Sequence, residues 1–165
     1  MDVLGVGDGS VVADLGAGSG WFTIRLAERV GPNGWVYAED IQRQMIEAIS
    51  RRVEKIGLKN VKTVLGTHND PRLPNPVDAV LIVDTYREME QPVVLLRNLT
   101  KRLKPAGLVG IVDFNKDGGG PGPAMEDRVD PEVIIGHAQA AGLVLRSRET
   151  FLKYQYMLVF ELPRK

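Results

Sequence analysis

The stretch Asp14-Leu15-Gly16-Ala17-Gly18-Ser19-Gly20 carries the plainest chemical signal in the chain. Glycines at alternate positions let a backbone turn tightly and approach a ligand with no Cβ in the way. A helical pattern follows at once, and a helix start presents free N–H groups and the positive end of its dipole. By themselves these glycines also fit a turn that only joins a strand to a helix. Their spacing narrows the ligand. A dinucleotide fingerprint needs glycines at the first, third and sixth positions. Counted from Gly16 the sixth is Trp21, too bulky for the close helix–strand packing required there. The phosphate-loop pattern, with Gly-Lys-Ser/Thr four residues after a first glycine, is absent. An acid, Asp14, instead stands two residues before the first glycine. A carboxylate in that place repels a pyrophosphate and suits a cationic group.

Polar groups recur where other apolar runs end. Val36-Tyr37-Ala38 leads into Glu39-Asp40-Ile41, the run from Val61 to Leu65 into Gly66-Thr67-His68-Asn69, and Val80-Leu81-Ile82-Val83 into Asp84-Thr85-Tyr86-Arg87-Glu88-Met89. A carboxylate at a strand end can accept two O–H bonds from one ligand, and it can equally cap the helix that follows. The histidines, His68 and His137, lack a paired carboxylate pattern and give no metal-site spacing. His137 falls inside a helical pattern and reads as a surface residue. No cysteine is present, which excludes disulfides, thiolate catalysis and Cys-ligated metals and fits a reducing compartment.

The elements that must position these residues alternate along the chain. Strands are expected at Val11 to Leu15, Trp35 to Ala38, Val61 to Leu65, Val77 to Val83 and Leu108 to Phe114. Helical spacing follows from Phe22 to Val30, from Ile41 to Ile56, from Val93 to Leu103 and from Pro131 to Ala141. Thr67 to Pro76 is too rich in Pro and Asn for regular structure. Asn115 to Asp130 holds four glycines and two prolines and is expected to be a mobile loop. Two strands end the chain, Leu143 to Phe151 and Gln155 to Leu162. Their short link cannot make a crossover, so the last strand must run antiparallel. Five strands, four of them followed by a helix, and a terminal hairpin imply an α/β fold: a Rossmann-like three-layer sandwich around a mostly parallel seven-stranded sheet. In such sheets ligands bind beyond the carboxyl ends of the strands, near the point where strand order reverses. Tyr154 and Tyr156 alternate with Met157 and Val159 and read chiefly as sheet-packing residues. Trp21 fits either the flank of the pocket or packing under the sheet.

Length and composition bound the rest. The 165 residues predict one domain over 1–165, and 44% hydrophobic with 25% charged residues matches an ordinary globular chain. No apolar run approaches the ~18 residues that span a bilayer. The N-terminus lacks the pattern of a secretory signal, so a cytoplasmic protein is expected. The 21 acidic and 21 basic residues leave no basic excess for gripping a nucleic-acid backbone.

At these residues the chain resembles the class I S-adenosylmethionine-dependent methyltransferases. Asp14 to Gly20 carries the resemblance, with the acid-bearing end of the second strand and the segment from Val80 to Met89. Leu103-Lys104-Pro105-Ala106-Gly107-Leu108 is similar to the family's turn before the fifth strand, and the likeness runs over residues 4–162. It implies S-adenosylmethionine as cofactor and S-adenosylhomocysteine as product. Gly16, Ala17, Gly18 and Gly20 would cradle it, with Asp14 balancing its positive charge. Asp40, beside Ile41, would clasp the ribose hydroxyls, with Glu39 as the fallback. Gly66, Thr67 and His68 would lie on the adenine side. Many members carry an acid just after that glycine; here it is Thr67. Asp84 would face the space between cofactor methyl and acceptor, as a base or as a plain strand-end acid, with Tyr86 and Glu88 next. The later segments look like a group of small bacterial methyltransferase-domain proteins.

The resemblance implies the reaction better than the acceptor, for which a small molecule is expected and an exposed side chain is the other candidate. The charge balance, the histidine spacing and the apolar runs give no sign of nucleic acid, metal or membrane. Family members commonly carry helices before the first strand that cover the cofactor, and only about ten residues stand there in this chain. An open site is therefore expected, closed by the loop 115–130, a second subunit or another partner. A cofactor-binding module without independent activity is the rival reading.

Overall fold

The computed structural model describes residues 1–165. Seven strands form one sheet: β1 (Val11–Leu15), β2 (Trp35–Asp40), β3 (Val61–Leu65), β4 (Val77–Val83), β5 (Leu103–Phe114), β6 (Val144–Glu149) and β7 (Gln155–Glu161). Four helices cover it: α1 (Trp21–Val30), α2 (Arg43–Ile56), α3 (Pro92–Thr100) and α4 (Pro131–Ala140). The spatial order is β3-β2-β1-β4-β5-β7-β6. All pairs from β3 to β5 are parallel, and β7 runs antiparallel to both β5 and β6. The strand order reverses between β1 and β4, where β1 delivers its glycine turn. The α/β fold with an antiparallel terminal hairpin is the one expected from the sequence. No helix is long and apolar enough to cross a membrane.

The sheet buries both faces because its central strands carry apolar side chains on both sides. Val12, Leu26, Val30, Val36 and Val159 close the α1 side, and Val80, Ile82, Leu96, Ile111, Ile134 and Phe160 close the α3–α4 side. Each fully buried aliphatic chain removes enough apolar surface to contribute about 1.5–3 kcal/mol. α2 buries a narrow stripe, Ile49 and Val53, with Met45, Ile46 and Ala48 half-buried beside it and the rest facing water. Asp130 caps α4 by accepting the Glu132 N–H at 2.9 Å, a bond worth about 1 kcal/mol.

Residues between β3 and β4 cross over without a helix, as their Pro and Asn content leads one to expect. Several expectations change. β5 begins at Leu103 rather than Leu108, because Leu103 pairs with Val77 before a register shift carries the ladder to Leu108. The Lys104–Gly107 turn bulges within this strand, and Lys104 Nζ binds the Asp78 carboxylate at 3.0 Å. α2 begins at Arg43 rather than Ile41, and α3 ends at Thr100.

The loop 115–130 is anchored rather than free. Arg128, 5% exposed, donates to the carbonyls of Pro123, Asn115 and Gly118. A Cβ at Gly120 would strike the Tyr154 ring, and one at Gly122 the Phe114 ring. Residues before β1 are also packed: Leu4 and Val6 are buried, with Leu4 against Gly110 of β5. Trp21 takes neither expected place. It is half exposed, with the Arg25 guanidinium stacked on its ring.

Candidate functional site

β1, β2 and β4 end together at one side of the sheet, and a cavity of about 570 Å³ opens there. Its floor is the turn after β1. Gly16 has φ 68°, and any Cβ on it would collide with the Thr85 side chain after β4. The Ala17 N–H donates to the Glu39 carbonyl at 2.9 Å, locking the turn to β2. The Gly18 N–H donates to Asp40 Oδ2 at 3.0 Å. Asp40 Oδ1 accepts the Gln42 N–H at 2.9 Å, closing a tight turn just before α2. Of the two roles weighed for Asp40, it takes the place on the cavity wall and not that of helix cap, because Gln42 stands between it and the first turn of α2.

Of the residues singled out in the sequence, Gly16, Ala17, Gly18, Glu39, Asp40, Ile41, Thr67, His68, Asp84 and Glu88 meet on the cavity wall. Four do not. Asp14 lies beneath the turn, where its Oδ2 accepts the Thr23 hydroxyl at 2.7 Å. Gly20 is the N-cap of α1. Gly66 packs on Glu39, whose Cδ would stand 2.9 Å from a Cβ placed there. Tyr86, 3% exposed, turns into the core and hydrogen-bonds His137 Nδ1 at 2.9 Å. That bond gives His137 an interior partner instead of the surface place expected for it. Tyr156 is buried, as its alternation implies, with its hydroxyl on the Val129 carbonyl at 2.8 Å.

Sequence reasoning missed Gln42, Met45, Thr85, Met89 and Leu95, which complete the wall. Thr85 and Met89 sit inside a segment already marked; the others carry no chemical signature. Gln155 was missed altogether. Its Nε2 donates to Asp84 Oδ1 at 2.6 Å from β7. Only the pairing of β7 with β5 brings it there.

The wall carries Glu39, Asp40, Asp84 and Glu88 and no Lys or Arg. Glu39 and Asp40 are adjacent in an extended strand and so point to opposite faces of the sheet. Burial raises the Glu39 pKa to about 8, with the charges of Asp40 and Asp14 adding to it. Burial also raises Asp14 to about 6, against the pull of the Thr23 hydrogen bond and with a further push from Asp40. Asp84 is raised by burial, opposed by the Gln155 hydrogen bond. Each shift has the same meaning: burial disfavours the ionised carboxylate, and a cationic ligand nearby would favour it.

A doubly wound sheet with a glycine turn at its switch point, a backbone-bonded acid after β2 and an anionic cavity defines a class, the class I S-adenosylmethionine-dependent methyltransferases. More specifically, the chain belongs to the methyltransferase domain family, whose model matches residues 7–149. It is 33% identical over 110 residues to demethylmenaquinone methyltransferase of Geobacillus sp. (strain WCH70), covering 66% of this chain and 47% of that protein. It is 31% identical over 108 residues to protein-L-isoaspartate O-methyltransferase of Pyrococcus horikoshii, covering 65% and 46%. The chain thus spans about half the length of these curated relatives. Among solved structures, a SAM dependent methyltransferase from Aquifex aeolicus superposes with a TM-score of 0.89 at 28% identity, covering 96% of this chain and 85% of that one.

Proposed function

We propose that the chain binds S-adenosylmethionine in this cavity and transfers its methyl group to a small-molecule acceptor. One observation carries the reading: an open backbone cradle faced by carboxylates, with no Lys or Arg on the wall. A cationic ligand fits that field. A nicotinamide dinucleotide would bring its pyrophosphate against uncompensated acids. When bound, S-adenosylmethionine supplies a methyl group already activated on a sulfonium.

The residues then have limited work to do, namely position and exclusion of water. The Gly16–Gly18 turn admits the ligand backbone-close, Asp40 accepts hydroxyl hydrogen bonds with its remaining lone pairs, and Ile41 covers an apolar face. Thr67 is tied up by its own loop, accepting the Asp70 N–H at 3.1 Å, so the purine side is left to His68 and backbone groups. Asp84 and Glu88 face the acceptor. The relatives are named for unlike acceptors, so those names leave the acceptor open. Support for a small molecule comes from the cavity volume of about 570 Å³.

Calorimetry with S-adenosylmethionine, S-adenosylhomocysteine and NAD tests the reading. Binding of the first two and not the third is expected; binding of NAD alone would sink it. Methyl-tritiated donor mixed with a small-molecule extract tests transfer. The module reading, in which a partner completes the acceptor side, draws on the anchored loop 115–130, none of whose residues lines the cavity. Transfer by the isolated chain would dismiss it.

A further inference from the structure

Asp84 has an unusual backbone and an unusual neighbour. Its φ is 55°, a left-handed conformation that non-glycine residues rarely adopt and that recurs at functional sites. The Asp84 N–H is fixed to the Val112 carbonyl at 2.9 Å, so the bend after β4 is built against β5. The bend turns the carboxyl toward the cavity, which it lines. Behind it, Gln155 donates from β7 at 2.6 Å to one oxygen only. The other oxygen has no partner within the chain. Gln155 itself does not reach the cavity wall.

We propose that Gln155 is a positioning residue for the acceptor-side acid, holding one oxygen of Asp84 and leaving the other to take a proton from a methyl acceptor bearing O–H or N–H. The inference rests on the methyltransferase reading above and adds the chemical class of the acceptor. In the step, the acceptor's O–H or N–H bond breaks and its electron pair stays on the acceptor atom. The proton passes to the free oxygen of Asp84 and leaves from there to solvent.

The amide is suited to this in a way a cation is not. A Lys or Arg at position 155 would hold Asp84 ionised too firmly to accept a proton. An amide binds both forms: its NH₂ donates to the carboxylate, and after a half-turn its carbonyl accepts from the carboxylic acid. The contact therefore survives protonation of its partner. The charged groups around Asp84 act in opposition. Asp113 of β5, fully buried with Oδ2 unpartnered, favours the protonated form. Arg87 of the turn Tyr86–Glu88 favours the ionised one, and Glu88 draws on Arg87 at 3.9 Å. Gln155 sides with Arg87 without adding charge.

The test is an NMR titration of the ¹³C-labelled full chain, following the Asp84 carboxyl carbon, assigned by its loss in Asp84→Asn. Gln155→Met should move the Asp84 midpoint upward and Gln155→Lys downward. Affinity for S-adenosylmethionine, measured by calorimetry, should stay within about twofold in both, since the change in a group off the cavity wall is local. A residue that only packed β7 would not produce opposite shifts. An unmoved midpoint in Gln155→Met overturns the proposal, and that variant decides alone if the Lys variant fails to fold by circular dichroism. Tritiated methyl transfer to a low-molecular-weight extract should fall in both variants, with the acid limb of the pH profile displaced in the same directions. An unmoved limb removes the proton-accepting role. If the parent chain binds no S-adenosylmethionine, the proposed function fails, while the titration still judges Gln155.

Discussion

The Gly18 N–H and Asp40 Oδ2 meet at 3.0 Å, joining the turn after β1 to the end of β2 across 22 residues of sequence. Two elements that could each place a ligand group are thereby fixed relative to one another before any ligand arrives. Asp40 is both part of the cradle and the strut that holds it.

Asp40→Ala should weaken S-adenosylmethionine binding by about 1–3 kcal/mol, the range for losing charge-assisted hydrogen bonds. Asp40→Asn should lose less, because its amide oxygen can still accept from Gly18. Calorimetry checks both. Unchanged affinity in the Ala variant would move the sugar-binding role to Glu39 or remove it.

Glu39 makes stability depend on pH. Its folded pKa, about 8, lies above its ordinary 4.5, so the folded state holds a proton that the unfolded state has released. Its contribution is therefore fully present below pH 4.5 and is lost as pH rises toward 8. Asp14 adds the same sign between its ordinary 3.8 and about 6. Glu39→Gln should flatten the upper part of this profile and stabilise the chain by on the order of 2–3 kcal/mol at neutral pH. Thermal denaturation from pH 4 to 9 measures it, and parent and variant should converge at the acid end.

Gly16→Ala forces a Cβ into Thr85 and a side chain into left-handed backbone. A loss of about 2–3 kcal/mol in stability is expected, consistent with backbone strain plus overlap. Thr85→Ala removes the colliding Cγ2 and Oγ1, so the double variant should recover part of the loss. Additive losses in urea denaturation would show that the two residues are not packed as described. Gly18→Val meets no side chain, so the fold bears only the strain of a left-handed backbone at φ 57° and should survive it, while ligand binding is abolished.

Arg128→Ala removes the donors that hold three loop carbonyls. Stability should fall by about 2–3 kcal/mol, as for losing hydrogen bonds made by a buried charge. Trypsin should then cut at Lys116, while affinity for S-adenosylmethionine stays near that of the parent. Protection of Lys116 by cofactor in the parent chain would restore the lid expected from the glycine content.

Much of this protein is local in origin and so legible in its residues. Short segments rich in Val, Leu and Ile, each bounded by turn residues, set β1, β3 and β4 to the residue, because such side chains favour a pleated and at least half-buried backbone. The glycines of the first turn and the acids after β1, β2 and β4 also declared themselves, since strand ends of an open parallel sheet converge on one side. What lay between distant segments did not. The insertion of β7 between β5 and β6 depends on which edge is left unpaired once β1 to β5 have assembled. The Gln155–Asp84 bond, the Arg128 anchor and the Tyr86–His137 pair follow from such placements. A side chain's type is written in the sequence, but its partner and its protonation depend on what the fold buries beside it.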